Sequence, residues 1–234
     1  MKATAISALV AVLALGGCDS KNEAAPAAPD AAALEAPLLP VTKGDTWSYD
    51  VHLEIPAGVT SPGAAAVDAK HTRVRTYLGK VSPAEGLPAV DCFEVIVPAS
   101  APEREFLEIH DDRILMRGSM IMRPETTRPM WLDQPVPFIH AGMKAGTESP
   151  LVQAAGGSLS RRIQVVARED VTVPAGTFPA IRLLMTGMDG ELELRRTIWF
   201  APGTGIVREE KSRYRKGALI FRETHALAET TKGG

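Results

Sequence analysis

The chain has 234 residues, 45% of them hydrophobic, with 26 Lys and Arg against 28 Asp and Glu and a formal net charge of −2. A charge so near balance argues against a nucleic-acid partner, which needs a concentrated basic face. The apolar content suits a folded core and argues against a disordered chain.

The chain opens with Lys2 and then an uncharged run from Ala3 to Gly17. A charged start followed by an apolar stretch is the layout of a secretory signal. The run is too short for a bilayer span, which takes about 20 residues. Asp19 to Glu23 beyond it is simply polar. The run closes in Leu15-Gly16-Gly17-Cys18, which resembles the lipobox of bacterial lipoprotein precursors. Small residues there give a peptidase access to extended backbone, and the Cys18 thiol takes the lipid. Residues 1–17 are therefore read as a signal peptide and Cys18 as the lipidation site. Membrane lipid is the first expected partner. Two or more acyl chains anchor stably where one binds only marginally. The expected address is the cell envelope, facing the periplasm. By resemblance to the sorting rule of enteric bacteria, Asp19 favours the inner membrane, with the outer membrane as the alternative.

Residues 18–40 are rich in Ala and Pro and read as a tether below the folded part. With Cys18 acylated, Cys92 is the one remaining thiol and no intramolecular disulfide can form. It lies in the apolar run VDCFEVIV with no flanking base to activate it, so a buried, inert thiol is expected.

From residue 41 to 228 strand signals dominate. Trp47 to Ile55, Thr72 to Val81, Ala89 to Val97 and Arg104 to His110 carry β-branched and aromatic residues, several with period two. DRILMRGSMIM, RRIQVVAREDVTV, AIRLLMTGM, ELELRRTIWF, GIVREEKSRYR and ALIFRETHAL continue the series. Turn residues separate them at His110-Asp111-Asp112, Pro174-Ala175-Gly176, Asp189-Gly190, Pro202-Gly203 and Lys216-Gly217. Pro56 to Asp68 reads as a long loop, residues 229–234 as a frayed tail, and His140 to Lys144 as the best candidate for a short helix. The expected fold is mainly β with little helix: a curved antiparallel sheet, an open sandwich or a half-barrel.

A faint repeat runs through it. EGLPAVDCFEV around Pro88 matches AGTFPAIRLLM around Pro179, and KGDTWSY (Lys43 to Tyr49) has a weaker counterpart in KAGTESP (Lys144 to Pro150). Two related β-modules, residues 43–125 and 142–228, follow from this spacing.

The segment PLLPVTKGDTWSYDV, with VTVPAGTFPAIRLLM and RTIWFAPGTGIVREE, resembles a group of uncharacterised bacterial envelope lipoproteins built on a domain of unknown function. Their signatures are a GxxWxY start and a VPAGxFxA…WFAPGxGxV pair. The resemblance implies a curved antiparallel sheet and no particular activity. Pro174 with Gly176 reads as a hairpin turn, and Pro202-Gly203 suits the middle of a type II turn.

Catalytic signatures are not found. The five histidines His52, His71, His110, His140 and His225 show no metal-ligand spacing with one another, with cysteines or with carboxylates. His110-Asp111-Asp112 reads as a turn before it reads as a metal or acid–base site. Gly157-Ser158-Leu159-Ser160 lacks the second glycine of a nucleophile elbow. Gly203-Thr204-Gly205 joins two strands and so lacks the geometry of a phosphate loop. Arg161-Arg162, Arg195-Arg196 and the run Arg208 to Lys216 read first as solvated strand faces, and second as a basic patch for headgroups or peptidoglycan. The sequence thus points to no catalytic residue, no metal and no cofactor.

PMWLDQPVPFIH (Pro129 to His140) has three prolines that bar it from a central strand. It reads as a linker whose aromatics plug the core. Its alternative is a lip on a concave apolar sheet, where Trp131 and Phe138 would contact a ligand. The expected function is a non-catalytic, membrane-anchored module that binds an envelope protein or supports envelope assembly. The alternatives are a carrier of lipid or another apolar ligand on a concave sheet and, least favoured, a hydrolytic enzyme.

Overall fold

A computed structural model of the protein describes residues 37–123, 129–148, 152–153 and 159–234. All regular structure among them is strand. In chain order these are β1 (Thr46–Ile55), β2 (Val67–Val81), β3 (Val90–Ile96), β4 (Glu103–Ile109), β5 (Arg113–Ile121) and β6 (Met130–His140). They continue as β7 (Val152–Gln153), β8 (Leu159–Val173), β9 (Gly176–Asp189), β10 (Leu192–Ala201), β11 (Gly205–Arg215) and β12 (Ala218–Thr231). One open antiparallel sheet holds all twelve in the order β6-β5-β4-β3-β2-β1-β12-β11-β10-β9-β8-β7. Each half is a meander, because each connection, from two-residue turns to the long loop between β1 and β2, returns a strand beside its predecessor. The halves meet where β1 pairs with β12, from Thr46 opposite Thr231 to Glu54 opposite Arg222. The segments matched around Pro88 and Pro179 lie at β3 and β9, the third strand of each meander.

The turns follow their residues. Lys216 and Gly217 both have positive φ, 50° and 79°, in a two-residue connection between Arg215 and Ala218. That is the conformation whose twist matches a β-hairpin. Thr204 donates its N–H to the Ala201 carbonyl across Pro202 and Gly203, with Gly203 at φ 78°. Proline then glycine at those two positions is the type II turn expected from the sequence.

The sheet curves about one face. Arg73 on β2 reaches Glu209 on β11 although β1 and β12 lie between them. In a flat sheet, three strand spacings would hold those backbones about 14 Å apart. The turn between β8 and β9 also reaches across to β12, where the Ala175 N–H meets the Leu227 carbonyl at 3.0 Å. Inside the curve, Trp47, Tyr49 and Val51 of β1 pack with Phe93, Ile163, Val165, Leu183, Ile198, Val207 and Leu227. Alternate residues of β1 supply this core, as period two requires, while β10 buries four in a row, Ile198 to Ala201. A smaller cluster of Val90, Cys92, Phe106 and Met120 lies apart from it, partly covered by Trp131.

Several sequence expectations shift here. Leu38 and Leu39, which composition groups with the tether, are buried in the core. Leu38 gives its N–H to Asp111 and takes one from Gly203, so backbone pairing fixes what composition hides. The run Pro129 to His140 is no linker for most of its length. It forms β6 on the sheet edge, where Pro135 and Pro137 remove donors from a strand with only one neighbour. The segment after His140 is a turn rather than a helix, closed by the Met143 N–H on the His140 carbonyl. The tail is not frayed through Gly233: β12 runs to Thr231, and buried Asp45 holds the Gly233 N–H at 2.8 Å and Lys232 Nζ at 3.2 Å.

Candidate functional site

The inner face is not apolar throughout. Period two places Arg73 and Arg75 of β2 in phase with buried Tyr77, Glu209 of β11 with Val207, and Glu223 and His225 of β12 with Leu227. These charged groups therefore point into the curve with the core residues, and a buried charge is tolerated only when paired.

Pairing is dense. Arg73 Nη2 and Arg75 Nε donate to the two oxygens of Glu105 on β4, at 3.1 and 2.9 Å. Arg73 Nη1 lies 3.5 Å from Glu209 and 3.1 Å from His225 Nδ1. His225 Nδ1 is also 3.2 Å from Glu209 Oε2, and its Nε2 is 2.6 Å from Glu223. Arg196 of β10 donates to Glu209, while Lys211 lies 3.8 Å from Glu209 and 3.3 Å from Glu223. The Arg75 guanidinium stacks 3.6 Å from the Phe93 ring centre, which ties the charged zone to the aromatic core. Both meanders contribute, so the cluster pins one half of the sheet to the other.

The electrostatics follow from these contacts. Burial alone would raise the Glu209 carboxyl. Arg196, Lys211 and the His225 hydrogen bond outweigh it and hold that carboxyl well below its usual range. Glu105 has the same contest between burial and Arg75 with Arg73, and is brought down to about 2. Glu223, opposed by burial and favoured by His225 and Lys211, also lies at about 2. Glu103 behaves oppositely: burial and then neighbouring Glu105 push it up.

Beside the cluster the curve opens into a cleft of about 430 Å³. Glu103 of β4 contributes to it from one meander, and Leu194, Arg196, Lys211, Arg213 and Phe221 from the other. The volume lies in the range of small-molecule sites, ~300–1,000 Å³. Its lining mixes both charge signs with a few apolar side chains.

Residues singled out from sequence fall elsewhere. Cys18 lies outside the described residues, as does Gly157-Ser158. Trp131 packs toward Phe106, ring centres 6.4 Å apart, with Arg117 over its ring. Phe138 is buried in the main core, so the two proposed lip residues do not converge. His110 to Asp112 turn the hairpin between β4 and β5, with the His110 N–H on the Arg113 carbonyl. Among the described residues, no three His, Cys, Asp or Glu side chains are grouped to hold a metal. The run Arg208 to Lys216, expected as a solvated face, is divided: Glu209 is buried, while Arg213 and Arg215 are exposed. Arg195 and Arg196 point to opposite faces, Arg195 toward Glu193 and Tyr214 and Arg196 toward Glu209.

Cys92 is fully buried, and burial pushes its thiol up to about 11. It therefore stays protonated at neutral pH, and only the thiolate is nucleophilic. The native protein is expected to resist a thiol reagent such as iodoacetamide and to react readily once unfolded in urea. Rapid stoichiometric labelling of the native protein would show the site to be open.

A scan of family models and a search of curated proteins each give no match. Among solved structures, the chain is similar to a Bacteroides fragilis protein designated as exported, with a YmcC-like fold. Identity is 16% and the TM-score 0.46, over 84% of this chain and 100% of that one. It is also similar to a Parabacteroides distasonis protein designated as a lipoprotein, at 12% identity and a TM-score of 0.39, over 84% of this chain and 99% of that one.

Proposed function

We propose that the protein is a lipid-anchored, non-catalytic module of the cell envelope, held to a membrane through Cys18, that binds a polar partner in the charged cleft of its curved sheet. One observation carries the binding role: the curve is packed shut where it is apolar and open where it is charged. Trp47, Phe93, Leu38 and Ile139 already fill the apolar part. A lipid carrier would have to displace them or bury its chains against ion pairs, and both cost free energy. The lipobox Leu15 to Cys18 supports the anchor, and Asp19 supports the inner membrane.

Two measurements test this. Cys18→Ala is expected to abolish lipid labelling and release the protein from the membrane fraction. Continued labelling would remove the anchor from the reading. For the cleft, a photo-cross-linking residue at Leu194 is expected to capture a partner in cells, with the same residue at exposed Asp50 on the outer face as control. Equal capture at both positions, or none at Leu194, would overturn the cleft as the binding surface.

A further inference from the structure

This inference rests on the cleft being the binding surface and names the class of ligand it takes. Most charged groups around the cleft are already engaged. Arg196 is held by Glu209, Lys211 by Glu209 and Glu223, and Arg195 by Glu193. Glu223 is occupied by His225 as well as Lys211. Two groups differ. The Glu103 carboxylate makes no hydrogen bond or ion pair with any described residue, although it is half-buried on the cleft wall. Arg213, on the opposite meander, has the Phe221 ring 5.1 Å from its guanidinium and no carboxylate partner among the described residues.

The arrangement is one uncommitted anion and one uncommitted cation, carried by different meanders on one small cleft. Phe221, Leu194 and Met185 give it apolar lining. The cations near Glu103 that act on its charge are Arg73, Lys211 and Arg196, and each has its own carboxylate partner. A ligand that carries only an anion would leave half-buried Glu103 unpaired, and one that carries only a cation would leave exposed Arg213 to water. Charge-assisted hydrogen bonds are the strong ones, so a complementary ligand gains most by offering both charges. We infer that the cleft binds a small zwitterion, a short peptide or amino-acid derivative whose free ammonium meets Glu103 and whose free carboxylate meets Arg213. The ligand's side chain lies against Phe221 and Leu194. The cleft volume admits a ligand of dipeptide size.

The test uses the dipeptide alanyl-alanine, its N-acetyl form and its C-amide, titrated into the purified protein by calorimetry or chemical-shift perturbation. The free dipeptide is expected to bind saturably, and each blocked form to bind at least about tenfold more weakly, the loss of one charge-assisted contact. Glu103→Gln should erase the discrimination against the acetylated form alone, and Arg213→Gln the discrimination against the amide alone. Both variants are read only after their melting temperatures match the parent. No saturable binding of the free dipeptide, or equal binding of all three forms, overturns the assignment. If that happens while Leu194 still cross-links a partner, the ligand class is wrong and the cleft stands. If cross-linking fails too, both readings fall.

Discussion

Replacing Glu209 by alanine is expected to lower the stability of the folded domain by about 3–5 kcal/mol, the usual cost of breaking a buried ion pair from one side. The reason lies in what the carboxylate touches. Arg196, Arg73, Lys211 and His225 all converge on it, and its own side chain is almost completely buried. Without it, several positive groups face one another inside the curve with only Glu105 and Glu223 to offset them. Glu209→Gln keeps the volume and an acceptor while losing the charge, and should fall between wild type and alanine. For a domain of this size, the alanine variant corresponds to a fall in Tm of roughly 10 °C. Urea denaturation with an unchanged m-value measures it. A loss below about 1 kcal/mol would mean that water, rather than the protein, compensates these charges. Combining Glu209→Ala with Arg196→Ala should recover part of the loss, because the double variant removes one stranded cation as well.

Acid should act on the same cluster. Glu105 and Glu223 lie at about 2 in the folded protein, against an ordinary 4.5, and Glu209 lies well below its ordinary value. A carboxylate whose folded pKa is depressed contributes stability that is complete above its unfolded pKa and is lost as pH falls toward the folded one. The window is therefore about pH 4.5 down to about 2. For Glu105 the contribution at neutral pH is on the order of 3 kcal/mol, an upper limit because Arg73 is shared with Glu209. Glu103 works in the opposite direction, since its raised pKa means the fold gains when it takes up a proton. The three depressed carboxylates outweigh it. The urea midpoint should hold roughly steady from neutral pH to about 5 and then fall steeply by about pH 3. Glu105→Gln should begin lower and show a flatter profile. A midpoint that stays level through that range would show the network to be uncoupled from folding.

How much of this was legible in the sequence depends on range. Strands such as Thr72 to Val81 announced themselves because period two is a local property, and the turns at Lys216-Gly217 and Pro202-Gly203 did so through a glycine suited to positive φ in each. The prolines of β6 correctly barred it from the sheet centre but did not show that it would still pair as an edge. The charged cluster was hidden for a different reason. Arg73 and His225 are 152 residues apart and meet only once β1 and β12 have paired. Read along the chain, His225 has no metal-ligand spacing and Glu209 sits among alternating charges that look solvated. One local signal was present: Glu209 shares its phase with Val207, and Arg73 and Arg75 share theirs with Tyr77. Charges recurring at core-phase positions of several strands mark a buried network, and that pattern would have found it. The cleft left no comparable trace, because Glu103 and Arg213 become neighbours of one space only through curvature.

The pairing of β1 with β12 also sets the order of events when the chain folds. The first strand of the sheet lies beside the last, at the centre of the order rather than at its edge. Neither meander can present a finished central seam until β12 has emerged, and long-range pairings of this kind form slowly. A chain threaded through a membrane from its N-terminus would thus expose the free side of β1 throughout transit. Asp50, His52 and Glu54 on that strand place polar groups along a seam that would otherwise invite pairing with another chain. Deleting β12 should therefore do more than shorten the domain: it would leave two half-sheets with open inner margins, and self-association is the outcome to look for.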